Sequence, residues 1–411
     1  FEAPYGDNPP TPIYLAAPST GVTTIGAPAG NTYINYENNT STTITAISTD
    51  PDGGSITWSY TTSGNMGSTT ITNTGDGTFT FFTPPHAIEH NFAISITATD
   101  SSGLTSVYSM NYVWEYPVVS PNSMVFYESE PGGENGTSSG TDSGTNYNWT
   151  CPPDVYYVHA LCIGGGACNT GSGIGGGGGG LGWKNNIPVV PGQTYPLKVG
   201  RGGHGNSNAH SYFISQSTVK GGGGSGSSGG TYIGDGGGNG GGGSILAHGT
   251  STGGCGGGAG GYSGNGGNGS PSAVGVNFPT GVNGSSGSGG GGGGGAHNYG
   301  QYATGGGGVG INGQGSSGSG GVWSSSTLGF GGAAGSGGSS GQHGESNLGA
   351  GSGGDFGGGG SGRNPGSSGD AGGGDGVVKL IWGTGSNAPQ WPSTNIPQTN
   401  PQFQTDAQKG I

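Results

Sequence analysis

Three sets of side chains in this sequence have the types that metal, acid–base or redox chemistry uses. His86-Ala-Ile-Glu89-His90 has the H-x-x-E-H spacing with which a helix sets two imidazoles against one zinc ion and a carboxylate against its water. Pro84-Pro85 comes immediately before and a strand pattern immediately after, so scarcely more than one helical turn is left and a peptidase is not expected. Asp50, Asp52 and Asp100 fall where converging loops could offer several oxygens to Ca2+, the donor set a hard cation requires. Asp50-Pro-Asp52-Gly-Gly also reads as a plain turn, with Asp favouring its start and Gly its positive φ, and the turn is the favoured reading. Cys151, Cys162, Cys168 and Cys255 permit three full pairings and show no C-x-x-C spacing, which leaves a disulfide and free buried thiols both open.

Other catalytic constellations are missing. No G-x-x-x-x-G-K-[ST] occurs, and His159, His204, His210, His248, His297 and His343 are too scattered to define a ligand set. No carboxylate pair or Ser/His/Asp order stands out, so the chain is expected not to be an enzyme and to carry no cofactor beyond the candidate Ca2+ site. The formal charge of −13 offers no cationic surface for a phosphate backbone or an anionic membrane, which argues against nucleic-acid partners. No stretch approaches the ~18–20 apolar residues of a membrane-spanning helix, so membrane insertion is not expected. The start FEAPYGDNPP has neither an initiator Met nor a basic-then-apolar leader, and Phe1 reads as a processed end.

The elements that would position these residues are of two kinds. Of 411 residues, 108 are Gly, 28% are hydrophobic and 7% are charged, against roughly 45–50% and 25% in an ordinary globular chain. Most of the glycine lies in 161–380, so two materials follow one another. From about 10 to 116, short alternating runs rich in Thr, Ile, Tyr, Phe and Trp are broken by turn residues at the spacing of an antiparallel sandwich. Strands are predicted over 32–36, 42–47, 55–60, 68–73, 78–83, 91–99 and 105–114; in the sixth, Phe92, Ile94 and Ile96 share one face. Residues 117–147 read as a linker with one short strand at 123–128.

In the second material, Gly recurs at every third position over 281–293, 329–344 and 351–360, and the same register resumes at 366, 369 and 372 after Arg363. A random coil has no reason to keep a period. Three residues per turn is the period of the polyproline-II helix, which has no internal hydrogen bonds and must satisfy its amides from neighbours once packed. The predicted object is a bundle of polyglycine-II helices held by backbone bonding instead of an oily core. Between the glycine runs stand interruptions that contain His248, Phe278, Tyr299, Tyr302, Trp323 and Phe330. At the turns of a rigid bundle, aromatic, amide and imidazole groups would suit sugar rings, and they would equally serve to cap the bundle ends against water.

Two resemblances add to this reading. Ser48-Thr-Asp50-Pro-Asp52-Gly-Gly-Ser-Ile-Thr-Trp58, Thr74-Gly-Asp-Gly-Thr-Phe-Thr80 and Ile96-Thr-Ala-Thr-Asp100-Ser-Ser-Gly resemble a cadherin-like or immunoglobulin-like module of bacterial surface and marine phage structural proteins. Asn148-Trp-Thr-Cys-Pro-Pro-Asp-Val-Tyr-Tyr-Val-His-Ala-Leu-Cys-Ile-Gly-Gly-Gly166, Gly180-Leu-Gly-Trp183-Lys-Asn-Asn and Gly376-Val-Val-Lys-Leu-Ile-Trp382 resemble the glycine-rich domain of phage tail-fibre and related virion proteins. That resemblance implies a small β core with Ala160, Cys162, Leu197, Val199, Val378, Leu380 and Trp382, the last strand returning to pair near the first. Cys151, the Cys162/Cys168 pair and the Asn387-Ala-Pro-Gln-Trp segment depart from the pattern. Polyglycine-II adhesins at the tips of T-even-type fibres extend the implication to surface-sugar or outer-membrane-protein recognition.

The expected chain is all-β: an arm at 1–9, an immunoglobulin- or cadherin-like sandwich at 10–116, the linker at 117–147, a glycine-rich domain at 148–383 with its polyglycine-II bundle, and a tail at 384–411. The resemblance implies a non-enzymatic virion appendage, homo-oligomeric as a trimer or filament among other virion or filament subunits. The alternative is a secreted bacterial filament subunit or surface adhesin, which places the chain on the virion or outside the cell. A third reading, ice binding, would want one flat regular Thr/Ala/Ser face, and the bulky interruptions argue against it.

Overall fold

A computed structural model of the chain describes residues 7–15, 22–25, 32–35, 41–82, 90–114, 122–128, 144–153, 155–168, 174–204, 209–244, 254–270, 283–288, 290–295, 303–322, 328–345, 351–362, 371–383 and 390–393. Among them the protein is all-β with no helix, in two compact units, Phe1–Val118 and Val119–Ile411.

The first unit holds nine strands: β1 (Tyr14–Leu15), β2 (Val22–Ile25), β3 (Thr32–Asn35), β4 (Ser41–Ile47), β5 (Thr57–Gly64), β6 (Thr70–Asn73), β7 (Thr78–Phe82), β8 (His90–Thr99) and β9 (Thr105–Trp114). They form two sheets of order β1-β4-β7-β6 and β2-β3-β9-β8-β5. All pairs are antiparallel except β3 with β9. Period-2 alternation decides the packing: Ile44, Phe79 and Phe81 from one sheet and Phe92, Ile94, Ile96 and Tyr112 from the other are buried. Phe81 stacks on Tyr112 at 4.9 Å between centroids and Tyr60 meets Phe79 edge-on at 5.9 Å, so the sheets face each other through aromatic contacts. The seven predicted strands are present; β1 and β2 were not predicted, being short and set among Pro and Gly. His90 opens β8, so that end of the H-x-x-E-H motif is extended chain, while His86 and Glu89 lie outside the described residues.

The second unit begins inside the stretch read as a linker, because β10 (Asn122–Tyr127) and the start of β11 (Gly144–Thr150) belong to its sheets. Its further strands are β12 (Tyr157–Ile163), β13 (Ala167–Cys168), β14 (Leu181–Pro188), β15 (Thr194–Gly200), β16 (Gly203–His204), β17 (Ser211–Phe213), β18 (Val219–Gly221), β19 (Tyr232–Ile233), β20 (Gly236–Gly238), β21 (Leu328–Gly329), β22 (Gly344–Glu345) and β23 (Val377–Trp382). A central sheet of order β10-β23-β12-β14-β20 covers a second of order β11-β15-β17-β18-β19. Between them lie Trp149, Ala160, Cys162, Leu197, Val199, Phe213, Val378, Leu380 and Trp382, which include every core position the motifs implied. β23 pairs with both β12 and β10 and is buried along its whole length. Its other face, Val377 and Ile381 with Leu161, Ile163 and Leu181, packs against Ala259, Tyr262 and Val309 of the glycine region.

Four strands of the central sheet run on directly into glycine threads: β12 into 164–168, β14 from 174–180, β20 into 239–244 and β23 from 371–376. The thread 255–261 shows how these are held. Gly256 and Ala259 donate to Thr304 and Gly307, Gly257 and Gly260 to Gly176 and Gly179, and Gly258 and Gly261 to Gly267 and Gly264, all at 2.8–2.9 Å. In return Cys255 and Gly258 accept from Ser244 and Gly241, Gly256 and Ala259 from Gly294 and Gly291, and Gly257 from Gly359. Successive residues point at different neighbours and every third returns to the same one, so the thread has six neighbours, three taking its N–H groups and three giving theirs. The N–H groups of 256–261 and the carbonyls of 255–259 are thereby paired where the thread is buried.

This bonding sets the composition. A Cβ built on Gly256, Gly257 or Gly258 would lie 2.0, 2.1 or 2.0 Å from the carbonyl oxygens of Gly359, Gly241 and Gly291, so an inner thread needs glycine on every side. In the outer thread 283–288, Gly287 is buried while Ser285, Ser286 and Ser288 are exposed, and glycine is required only on the inward edge. The every-third-residue signal thus belongs to the outer threads. The unbroken runs at 175–180 and 290–295 mark the interior.

Side chains cap the lattice where neighbours run out. Asn265 and Asn268, three apart, accept from the N–H groups of Asn239 (3.0 Å) and Gly242 (2.7 Å), while His210 Nδ1 accepts from Gly223 (2.9 Å). Burial first, and then the charges of Lys220 and Lys198, hold the His210 pKa below the ordinary imidazole value, which keeps its acceptor nitrogen free of a proton. Asn268→Ala removes one such cap, and a loss of about 1 kcal/mol is expected in denaturant unfolding; Asn268→Asp, which keeps the acceptor, is expected to restore most of it.

Candidate functional site

The lattice brings the residues that flank its long connections together. Starting from the central sheet, 164–168 runs outward to Cys168 and 174–180 returns from Ile174, so the far end of the lattice lies at Cys168, Ile174, Ser244 and Ala371. At that end Gly175 donates to Ser244 (2.8 Å), Ser244 to Cys255 (2.9 Å), Gly362 to Gly254 (2.7 Å), Ser270 to Gly294 (2.9 Å) and Gly256 to Thr304 (2.9 Å). Gly351 donates to Ala303 (3.3 Å) and Phe330 to Val322 (3.1 Å), and the Cα of Gly295 sits against Gly321 and Val322. These residues flank the segments 169–173, 245–253, 271–282, 296–302, 323–327, 346–350 and 363–370, none of which is among the described residues. The described residues beside these seven segments therefore lie at one end of the lattice. Among the described residues the opposite end has tight turns, at Gly261–Gly264 and Gly335–Gly338 for example, and is occupied by the central sheet.

His248, Phe278, Tyr299, Tyr302 and Trp323, five of the six residues expected to bind, lie in these connections and outside the described residues. Phe330 is described, half-buried beside the same end, with its ring edge-on to His343 at 4.8 Å; His343 Nδ1 accepts from Gly331 at 3.1 Å. Phe330 thus has a packing partner within the lattice edge.

Asp50 and Asp100 form turns, and Asp52 holds the segment of Asn8. Asp50 accepts from the N–H groups of Asp52 (2.8 Å) and Gly54 (3.0 Å), and Asp100 Oδ1 from those of Ser102 and Leu104, both at 2.9 Å. Asp52 accepts from the backbone and side-chain nitrogens of Asn8 (2.7 and 3.2 Å), which hold its carboxyl below the usual carboxylate pKa. Among the described residues no group of three or more His, Cys, Asp or Glu is placed to hold a metal ion. Asp is used here for its reach to backbone amides two and four residues on, the Asx-turn chemistry anticipated for DPDGG.

Of the two readings left open for the cysteines, the structure takes free thiols: Cys151, Cys162, Cys168 and Cys255 are all buried and unbridged. Burial pushes the Cys151 thiol up to about 12 and raises Cys162 and Cys255 as well, which leaves them protonated and unreactive. Cys151 Sγ donates to Val155 and Cys255 Sγ to Gly295, each at 3.2 Å.

Two buried titratable groups were not singled out from sequence. His159 on β12 is 2% exposed, accepts at Nδ1 from Asn186 (3.1 Å), and has its pKa pulled to about 4 by burial. Lys379 on β23 is 3% exposed, donates to Asn312 Oδ1 (2.9 Å), and is lowered to about 8 by burial. Both sit at inward positions of strands whose neighbours are apolar, and that alternation is the signal that would have found them.

No family model matches the chain, and no curated protein matches it.

Proposed function

We propose that this chain is a non-enzymatic appendage of a phage virion, a tail-fibre or fibre-tip protein whose glycine lattice presents host-recognising loops. The observation that carries the reading is the gathering, at one end of a support bonded through its backbone, of the described residues that flank seven connections; five of the six aromatic and His candidates belong to those connections in sequence. Such a support loses little conformational freedom when its loops meet a partner, and loops on rigid scaffolds are where recognition concentrates. The period of three, the six neighbours and the absence of α-helix among the described residues support a polyglycine-II assignment for the threads. Two facing sheets, antiparallel except for the pair β3 and β9, with Asx turns at DPDGG support a cadherin- or immunoglobulin-like module serving as a spacer.

The partner is a host-surface glycan or an outer-membrane protein. Aromatic rings with amide and hydroxyl neighbours suit sugars, which combine apolar faces with dense hydroxyls. The working form is a homo-oligomer, a trimer or a filament, among other virion subunits. The second reading, a secreted bacterial filament subunit or adhesin, shares the lattice and is distinguished by assembly: negative-stain images would show an open helical polymer in place of a trimer on a phage tail.

Replacing Tyr299, Tyr302 and Trp323 together by Ala is expected to abolish attachment of the purified protein to host cells with the unfolding temperature unchanged. Undiminished attachment would reduce the loop end to a structural cap.

A further inference from the structure

Trp391 falls in the stretch expected to be a tail, yet it is 2% exposed and seated in a made-to-measure slot on the second unit. Asn185 grips its backbone in both directions: Nδ2 donates to the Trp391 carbonyl at 2.8 Å and Oδ1 accepts from the Trp391 N–H at 3.0 Å. One side-chain amide thus reads a peptide unit as a neighbouring strand would. Asn185 is itself fixed, since its N–H donates to Asp235 Oδ2 (2.9 Å) and Asp235 Oδ1 pairs with Lys184 Nζ (3.0 Å). The next residue, Asn186, has a left-handed φ of 52° and is pinned by its N–H to His159 Nδ1. The indole lies on Tyr262 at 5.7 Å between centroids and 25° between planes. Tyr262 is held at its hydroxyl, which donates to Gly310 (2.9 Å) and accepts from Gly313 (3.2 Å). The Gln314 N–H closes the slot on the Pro392 carbonyl at 2.9 Å.

We propose that this slot is a peptide-recognition site for a Trp-Pro segment, filled within the chain by 390–393 and able to take the same segment from a second copy. The Asn185 clamp, the Tyr262 stack, the Gln314 amide and the packing of Trp391 in the cluster of Leu161, Ile163, Val309 and Ile381 hold 390–393, with no rung of any β-ladder among the described residues. Among the described residues the last ladder rung before it is Trp382 with Asn122. The segment can leave and re-enter without opening a sheet. Its hold is also incomplete: the buried Trp391 Nε1 makes no hydrogen bond to the protein, and an unpaired buried donor weakens binding. The occupant follows from the contacts, because 390–393 is the sequence the slot fits and every copy carries it. The inference stands independently of what the distal loops bind.

The test uses two full-length variants. Trp391→Ala empties the slot and keeps it intact; Asn185→Ala breaks the slot and keeps the donor segment. Each alone is expected to remain unpaired through this contact, and the mixture is expected to form a 1:1 complex by light scattering. A fluorescent peptide spanning 388–395 should bind Trp391→Ala with a dissociation constant on the order of micromolar to tens of micromolar. It should bind at least about tenfold more weakly when Asn185→Ala is added. The same peptide in excess over the wild-type chain should displace the resident segment, a measurement that does not depend on the variant's folding. No peptide binding to either protein overturns the proposal; peptide binding without a mixed complex overturns its second-copy part.

Discussion

Gly258→Ala is expected to destabilise the second unit by on the order of 4 kcal/mol or more, while Gly242→Ala changes its stability by less than about 1 kcal/mol. The two residues carry the same side-chain change in neighbouring threads. A methyl on Gly258 would lie 2.0 Å from the Gly291 oxygen and 2.4 Å from its carbon, whereas one on Gly242 finds nothing nearer than 3.3 Å. Relief at Gly258 requires the threads 255–261 and 290–295 to separate, which stretches the bonds Gly291 to Ala259 and Gly294 to Gly256 together. Backbone groups pulled apart there have no water to turn to, so the cost is that of buried unpaired donors and acceptors added to overpacking. Alanine also lowers the conformational entropy of the unfolded chain, an effect of about 0.4–1 kcal/mol that favours both variants and is visible only at Gly242. Urea unfolding followed by Tyr and Trp fluorescence checks the pair. Equal stabilities would mean the threads are not in close bonded contact.

Stability is expected to fall by about 3 kcal/mol between pH 6.5 and pH 4 through His159 alone. Its imidazole is buried neutral, with Nδ1 occupied by the Asn186 N–H, so a proton there would set two donors face to face; the hydrogen bond with the Asn185 side chain offsets only part of the burial effect. With the folded pKa at about 4 and the unfolded value near 6.5, the unfolded chain binds more protons in that window, and stability declines as pH falls through it. The full contribution is present above about pH 6.5, and no further loss from this group occurs below about pH 4. His159→Gln, which retains an acceptor, is expected to flatten the profile over the same window. Parallel profiles for the two proteins would show that His159 is not held neutral. Because Asn186 adjoins the Asn185 clamp, release of 390–393 should accompany the loss.

The two materials of the chain, and most of what each does locally, are legible in the residues. Alternation at Phe92, Ile94 and Ile96 places them in the sandwich core because a strand has only two faces, and all three are buried. The motifs around Cys162, Leu197 and Leu380 likewise mark the positions that fill the space between the two sheets of the second unit. Less was legible where one residue type serves several geometries. Asp50 and Asp100 have the chemistry of cation ligands and of turn formers alike, and their partners are backbone amides that leave no trace in composition. Trp391 carries no periodicity of its own, and its slot is assembled from Asn185 and Tyr262, distant in sequence.

Glycine density and the three-residue spacing by themselves determine that 161–380 cannot build an oily core and that its threads need partners for their amides. Which thread bonds to which was decided only in three dimensions. A residue without a side chain carries no mark that distinguishes one neighbour from another, so Gly176, Gly241 and Gly291 are interchangeable on paper. The central sheet removes that degeneracy: β12, β14, β20 and β23 launch four threads in fixed places, and the tight turns fold the rest against them. The same geometry brings the residues that flank seven long connections to one end, which no local pattern of residues could have specified.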